Sequence, residues 1–143
     1  MWKRATDDAW ALHRQHIRAG RHIVLHGPDP IEVYPPATWR EVEEALRHEL
    51  RYVEKHLGDY PDYCILNLCR LVYSYETRDV VVSKAAAAAW ARRALPEWKH
   101  LIIAAERAYA GRGGAAEREL MLAEVGSLFE SALARIRTAR KRH

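Results

Sequence analysis

The sequence predicts an all-α fold, a helical bundle of about six helices with at most one short strand. Three observations carry that prediction. Apolar residues recur every three or four positions along most of the chain. Capping and breaking residues fall where those periodic runs begin and end. Only two short stretches, "HIVLHG" at 22–27 and "DVVVS" at 79–83, read as extended.

The elements follow in order. Residues 5–19 form a helix with Ala9, Leu12, His13 and Ile17 on one side, and Gly20 suits the position after its end. "PDPIEVYPP" at 28–36 is a proline-rich loop that no helix crosses. Thr38 and Glu41 make a capping box that opens the next helix, in which Val42, Ala45, Leu46, Val53 and Leu57 keep helical period. Gly58 ends it, and "DYPD" at 59–62 is the turn into a third helix over 63–76. Ser83 is a candidate N-cap for a helix over 84–94. Pro96 stops that helix and starts another, whose stripe is Trp98, Leu101, Ile102, Ala105 and Tyr109. "GRGG" at 111–114 is a flexible break. The last helix covers about 115–139, with Leu122, Val125, Phe129, Ala132 and Ile136 expected inward.

Bulk properties narrow the function. A chain of 143 residues has the size of one domain, and 49% hydrophobic residues suffice for a core. No run approaches about 20 consecutive apolar residues, so no membrane span is expected. The opening "MWKRATDDAW" carries acids where an export signal needs an apolar run. Cys64 and Cys69 lie roughly 140° apart on one helix, too far round it to bridge. A cytoplasmic location is the simplest reading. The formal charge is +4, but Arg135, Arg137, Arg140, Lys141 and Arg142 supply five positive charges with no acid among them. Removing those five leaves −1 for residues 1–134. The basicity is thus a tail that complements a helix C-terminus, and with no aromatics interleaved it argues against nucleic acid.

The helix at 63–76 poses the functional question. Tyr63, Asn67, Arg70 and Ser74 fall within about 60° of one another on a helical wheel. Cysteines, leucines, Ile65, Val72, Tyr73 and Tyr75 fill the rest. Such a line is either a satisfied core network that fixes helix docking or the wall of a cleft that meets a ligand or a partner domain. A buried guanidinium without a partner costs several kcal/mol, so Arg70 needs one in both readings.

"YCILNLCRLVYSYETRDVVVSKAAAAAWARRALP" resembles the centre of the C-terminal helical domain of aminoglycoside adenylyltransferases of the streptomycin/spectinomycin type. "HIVLHGPDPIEVYPP" is similar to the segment that leads into that domain, and "LIIAAERAYAG" to the helix that follows. Together they cover residues 20–111 in the family's order. The resemblance implies an enzyme that moves AMP from ATP to a drug hydroxyl, with ATP and magnesium as cofactors and an aminoglycoside or aminocyclitol antibiotic as substrate. It implies that Lys84 reaches the nucleotide phosphates and that Asp59 or Asp62 faces the cationic drug. It also turns the polar line toward the cleft reading. The family's Gly-Ser motif and magnesium-binding Asp-x-Asp pair do not occur in this chain. Met1 falls about where the family's nucleotidyltransferase domain ends. No catalytic residue and no metal ligand is therefore assigned here, and the chain reads as a truncated gene, a fragment, or a freestanding domain that pairs with a separate nucleotidyltransferase domain. The expected organisation is an N-terminal helix at 1–20 left from the interdomain connection, the helical domain at 21–111, and a C-terminal helix with its basic tail at 115–143.

Other readings remain open. Arg51 and His56 match the Arg-x4–6-His spacing of HEPN-type helical ribonucleases, where the histidine would act as acid or base. A non-catalytic interaction domain is the third possibility. His13 and His16 are three apart but lack a third metal ligand and read as surface histidines. Trp90 and Trp98 read as core anchors.

Overall fold

The computed structural model describes the backbone of residues 4–20 and 35–142, with side chains from 11 to 20 and from 35 onward. Six α-helices and one short 3-10 turn make up the described residues, and no strand occurs among them. The helices are α1 (Arg4–Arg18), α2 (Trp39–His56), α3 (Pro61–Thr77), α4 (Lys84–Ala94), α5 (Lys99–Tyr109) and α6 (Ala115–Arg142). The all-helical expectation holds. The expected strand at 22–27 and most of the loop at 28–36 lie outside the described residues. The chain divides into two compact units, residues 1–49 and 50–143.

In the first unit the capping box forms as the sequence predicts. Thr38 Oγ1 accepts from the Glu41 amide at 3.2 Å, and Glu41 Oε1 accepts from the Thr38 amide at 3.2 Å. Arg14 donates to the second Glu41 oxygen at 2.6 Å, tying α1 to the start of α2. These bonds, the backbone one first, hold the Glu41 carboxyl below its ordinary value. On α1 the buried position is Ala11, whereas His13 is exposed and Leu12 and Ile17 are half-buried.

The second unit is built around α3. Pro61 supplies the first helical turn, and the helix ends at Arg78, which takes a left-handed φ of 59° and returns its amide to the Ser74 carbonyl at 2.8 Å. Cys64, Ile65, Leu68, Val72 and Tyr75 are almost fully buried. Each such aliphatic side chain contributes roughly 1.5–3 kcal/mol on leaving water. Helices α4, α5 and α6 all pack on α3. Alanines 87, 88 and 91 form the buried face of α4, so small side chains let that helix approach closely.

Helices α5 and α6 run antiparallel, joined by Arg107–Glu117 at 3.3 Å and His100–Glu124 at 3.0 Å. At the far end Arg135 grips Glu76 with two bonds of 2.6 and 2.7 Å and donates to the Ala94 carbonyl at 2.8 Å. That one guanidinium joins α6 to the last turns of α3 and α4.

Two expectations about burial are corrected. Leu122 is 42% exposed, and the inward position is Met121, one residue earlier. The buried stripe of α6 runs through Met121, Val125, Leu128 and Phe129, Ala132, Ile136 and Ala139. Tyr109, expected in the α5 stripe, is 53% exposed; Leu101, Ile102, Ala104 and Ala105 are the buried face. Trp90 and Trp98 are half-buried, with Trp90 edge-on to Tyr73 at 5.4 Å and Trp98 donating to Ser131 at 3.2 Å. The "GRGG" break is a close turn, since a Cβ on Gly113 would stand 2.8 Å from the Ala108 Cα.

Candidate functional site

Lys84 is placed by its neighbours in sequence and space. Ser83 adopts an extended conformation and accepts the Ala86 amide at 3.0 Å, which makes Lys84 the first residue of α4. The six residues 78–83 are not helical, and Asp79 organises them by accepting from the Val81 amide and the Tyr73 hydroxyl, both at 2.9 Å. Val80 and Val82 are buried. The segment brings Lys84 beside Tyr63 in the first turn of α3. Its Nζ lies 5.2 Å from the Tyr63 ring centroid and 5.5 Å from that of Tyr109, within cation–π range of both.

A cavity of about 370 Å³ opens beside this lysine, lined by Tyr52, Tyr60, Asp62, Tyr63 and Tyr109. Four tyrosines and one carboxylate suit a ligand with both apolar faces and a positive charge. The end of α2, the start of α3 and the end of α5 supply them. Tyr52 meets the Tyr63 ring edge-on at 6.0 Å.

Asp59 is outside the cavity lining. Its carboxylate pairs with His56 Nδ1 at 3.1 Å. The ring centroid of His56 is 4.3 Å from that of Tyr52 and 5.7 Å from that of Tyr60. Arg51, its partner in the ribonuclease-like spacing, is exposed.

The polar line continues along α3 away from the cavity. Asn67 is 6% exposed, and its Nδ2 has no hydrogen-bond partner among the described residues. Arg70 is half-buried and makes no ion pair or hydrogen bond among them. Ser74 is 3% exposed at the far end. Tyr63, Asp62 and Lys84 therefore come together at the cavity, whereas Asn67, Arg70 and Ser74 form a separate inward run and Asp59 serves His56.

Sequence reasoning noted Tyr52 and His56 near the start of α3 without giving Tyr52 a role, and it missed Tyr60 and Tyr109 as site residues. Tyr109 was hidden inside an apolar stripe, although its place as the last residue of α5 marks it as a rim position. Tyr52 stands one helical turn before His56, a spacing that stacks two rings. Among the described residues no three His, Cys, Asp or Glu side chains converge on a metal position. They do not fit magnesium.

The family model described as the C-terminal domain of aminoglycoside adenylyltransferase matches residues 32–135. The chain belongs to that family. No curated protein matches it. In this adenylyltransferase-type domain the matched region takes in the cavity, Lys84 and all of α3 to α5. No helix of the described residues is long and apolar enough to cross a membrane.

Proposed function

We propose that this domain binds the nucleotide and the drug for an aminoglycoside adenylyltransferase reaction. The carboxylates for magnesium come from a nucleotidyltransferase domain, on the same or a separate polypeptide. The carrying observation is Lys84, held over Tyr63 and Tyr109 at the edge of a cavity that contains Asp62. A lysine at the first position of a helix adds a mobile charge to the free N–H groups of the first turn, and together they attract phosphate. The two ring faces orient that ammonium without supplying a counter-charge, so it stays available to an anion. Asp62 gives a cationic aminocyclitol its counter-charge. Asp59, engaged by His56, is the weaker candidate for that role. Arg70, half-buried on the same helix face and without an ion pair among the described residues, is the member of the polar line that suits contact with a ligand or with the catalytic domain.

Reconstitution with a nucleotidyltransferase domain tests this. Lys84→Ala lowers kcat/KM for ATP by about 50-fold, the size of a lost charge-assisted contact, and Lys84→Arg recovers part of it. In the same assembly Asp62→Asn raises the KM for spectinomycin or streptomycin more than Asp59→Asn does. Unchanged ATP use in Lys84→Ala sinks the proposal.

A further inference from the structure

Helix α6 is electrically polarised. Residues 115–130 hold Glu117, Glu119, Glu124 and Glu130 against the single base Arg118, whereas residues 131–142 hold five bases and no acid. Part of this charge is matched inside the chain. Glu117 pairs with Arg107, Glu124 with His100 and Arg135 with Glu76.

The opposite side of the helix is different. Glu119, Gly126, Glu130 and Arg137 fall within about 20° of one line along it. All four are exposed, and so are Leu122, Ala123 and Ala134 beside them. Ion pairs on a helix form three or four residues apart. At those spacings Glu119 and Glu130 have no base, and Arg137 has no acid. None of the three makes an ion pair or hydrogen bond among the described residues. Gly126 adds an independent observation. A glycine inside a helix weakens it. A Cβ at Gly126 would meet nothing within 4 Å, so its own chain has no use for the missing side chain.

We propose that this face of α6 is an isologous dimer interface, covered by a second copy of the chain lying antiparallel across it. The occupant is a second copy because both halves of the charge complement lie on α6 itself. Reversing the helix direction sets acid against base. With the two-fold axis near residue 128, Glu119 of each copy faces Arg137 of the other, and Leu122 lies on Ala134. The stem of Glu130 crosses Gly126, where the absent side chain leaves room for it. A parallel pair would set Glu119 against Glu119 and Arg137 against Arg137, which repel. The two bridges stand about 27 Å apart, at either end of a strip of small side chains that lets the helices approach. This pairing does not depend on nucleotide or drug binding.

Sedimentation velocity of the full chain over a range of concentrations tests it, at low and at high salt. Wild type is expected to pass from monomer to dimer as concentration rises, and less so at high salt. Glu119→Arg and Arg137→Glu each weaken the dimer by about tenfold or more, since each reverses both bridges. An equimolar mixture of these two variants recovers the dimer, because one supplies the bases and the other the acids. Gly126→Gln weakens association about tenfold while raising the thermal midpoint, a pair of effects that a merely structural glycine does not give. A wild-type chain that stays monomeric at the highest concentration overturns the proposal, as does a dimer that all three variants leave unchanged. Charge variants that weaken the dimer without recovery in the mixture overturn the antiparallel pairing. Protection of α6 from hydrogen exchange only after a nucleotidyltransferase domain is added assigns the face to that domain and overturns the dimer.

Discussion

Asn67 is the residue at which stability and function pull apart. A buried amide nitrogen without a partner costs about 1–3 kcal/mol, and Asn67 Nδ2 has none among the described residues. Leucine has a similar volume and no such debt. Asn67→Leu is therefore expected to raise stability by about 1 kcal/mol, seen as a higher urea midpoint at unchanged slope. A loss of stability of that size instead means that the amide is already satisfied and the cleft reading of the polar line is wrong. The line at 63, 67, 70 and 74 was legible in the sequence because a helical wheel needs only the 100° step. What the wheel could not show is that its first member parts company with the rest. Tyr63 joins the cavity because Lys84 and Tyr109 reach it from other helices, while Asn67 and Ser74 turn into the core.

At the scale of elements, local chemistry was a good guide. Helix α4 begins and ends where its cap and its proline place it, and the capping box on α2 forms both of its bonds. Ser83→Ala removes the acceptor for the Ala86 amide and is expected to cost about 1 kcal/mol, read as a lower denaturation midpoint. A Ser83→Asp variant keeps an acceptor there and should hold wild-type stability. Equal midpoints for the alanine and serine forms would show that α4 is held by packing alone. Burial along the long α6 was less legible. Met121 and Leu122 are adjacent and both apolar, so periodicity admits either, and packing of α6 on its neighbouring helices selects Met121. The "DVVVS" segment read correctly as non-helical, but its purpose, returning the chain along α3, depends on where α4 must dock.

For the molecule as a whole, the two cysteines report on the core. Burial, aided by the nearby charges of Asp62 and Asp59, pushes the Cys64 thiol up to about 11; burial pushes the Cys69 thiol up to about 12. Neither forms thiolate near neutral pH, and both side chains are inaccessible. A thiol reagent at pH 7.5 is expected to label the folded chain only as fast as the second unit opens, and both cysteines together once it does. Rapid labelling of one of them in the folded chain would contradict the packing around α3. Fold class, helix ends and the polar face of α3 follow from chemistry within a few residues, which is why reading the chain in order recovers them. The cavity does not. Its tyrosines and Asp62, with Lys84 beside them, come from the ends of four helices spread between residues 52 and 109. Which helix ends meet depends on how the loops return and which small-residue faces let helices approach. Neither is periodic in sequence, so the site emerges only when α4 and α5 pack on α3.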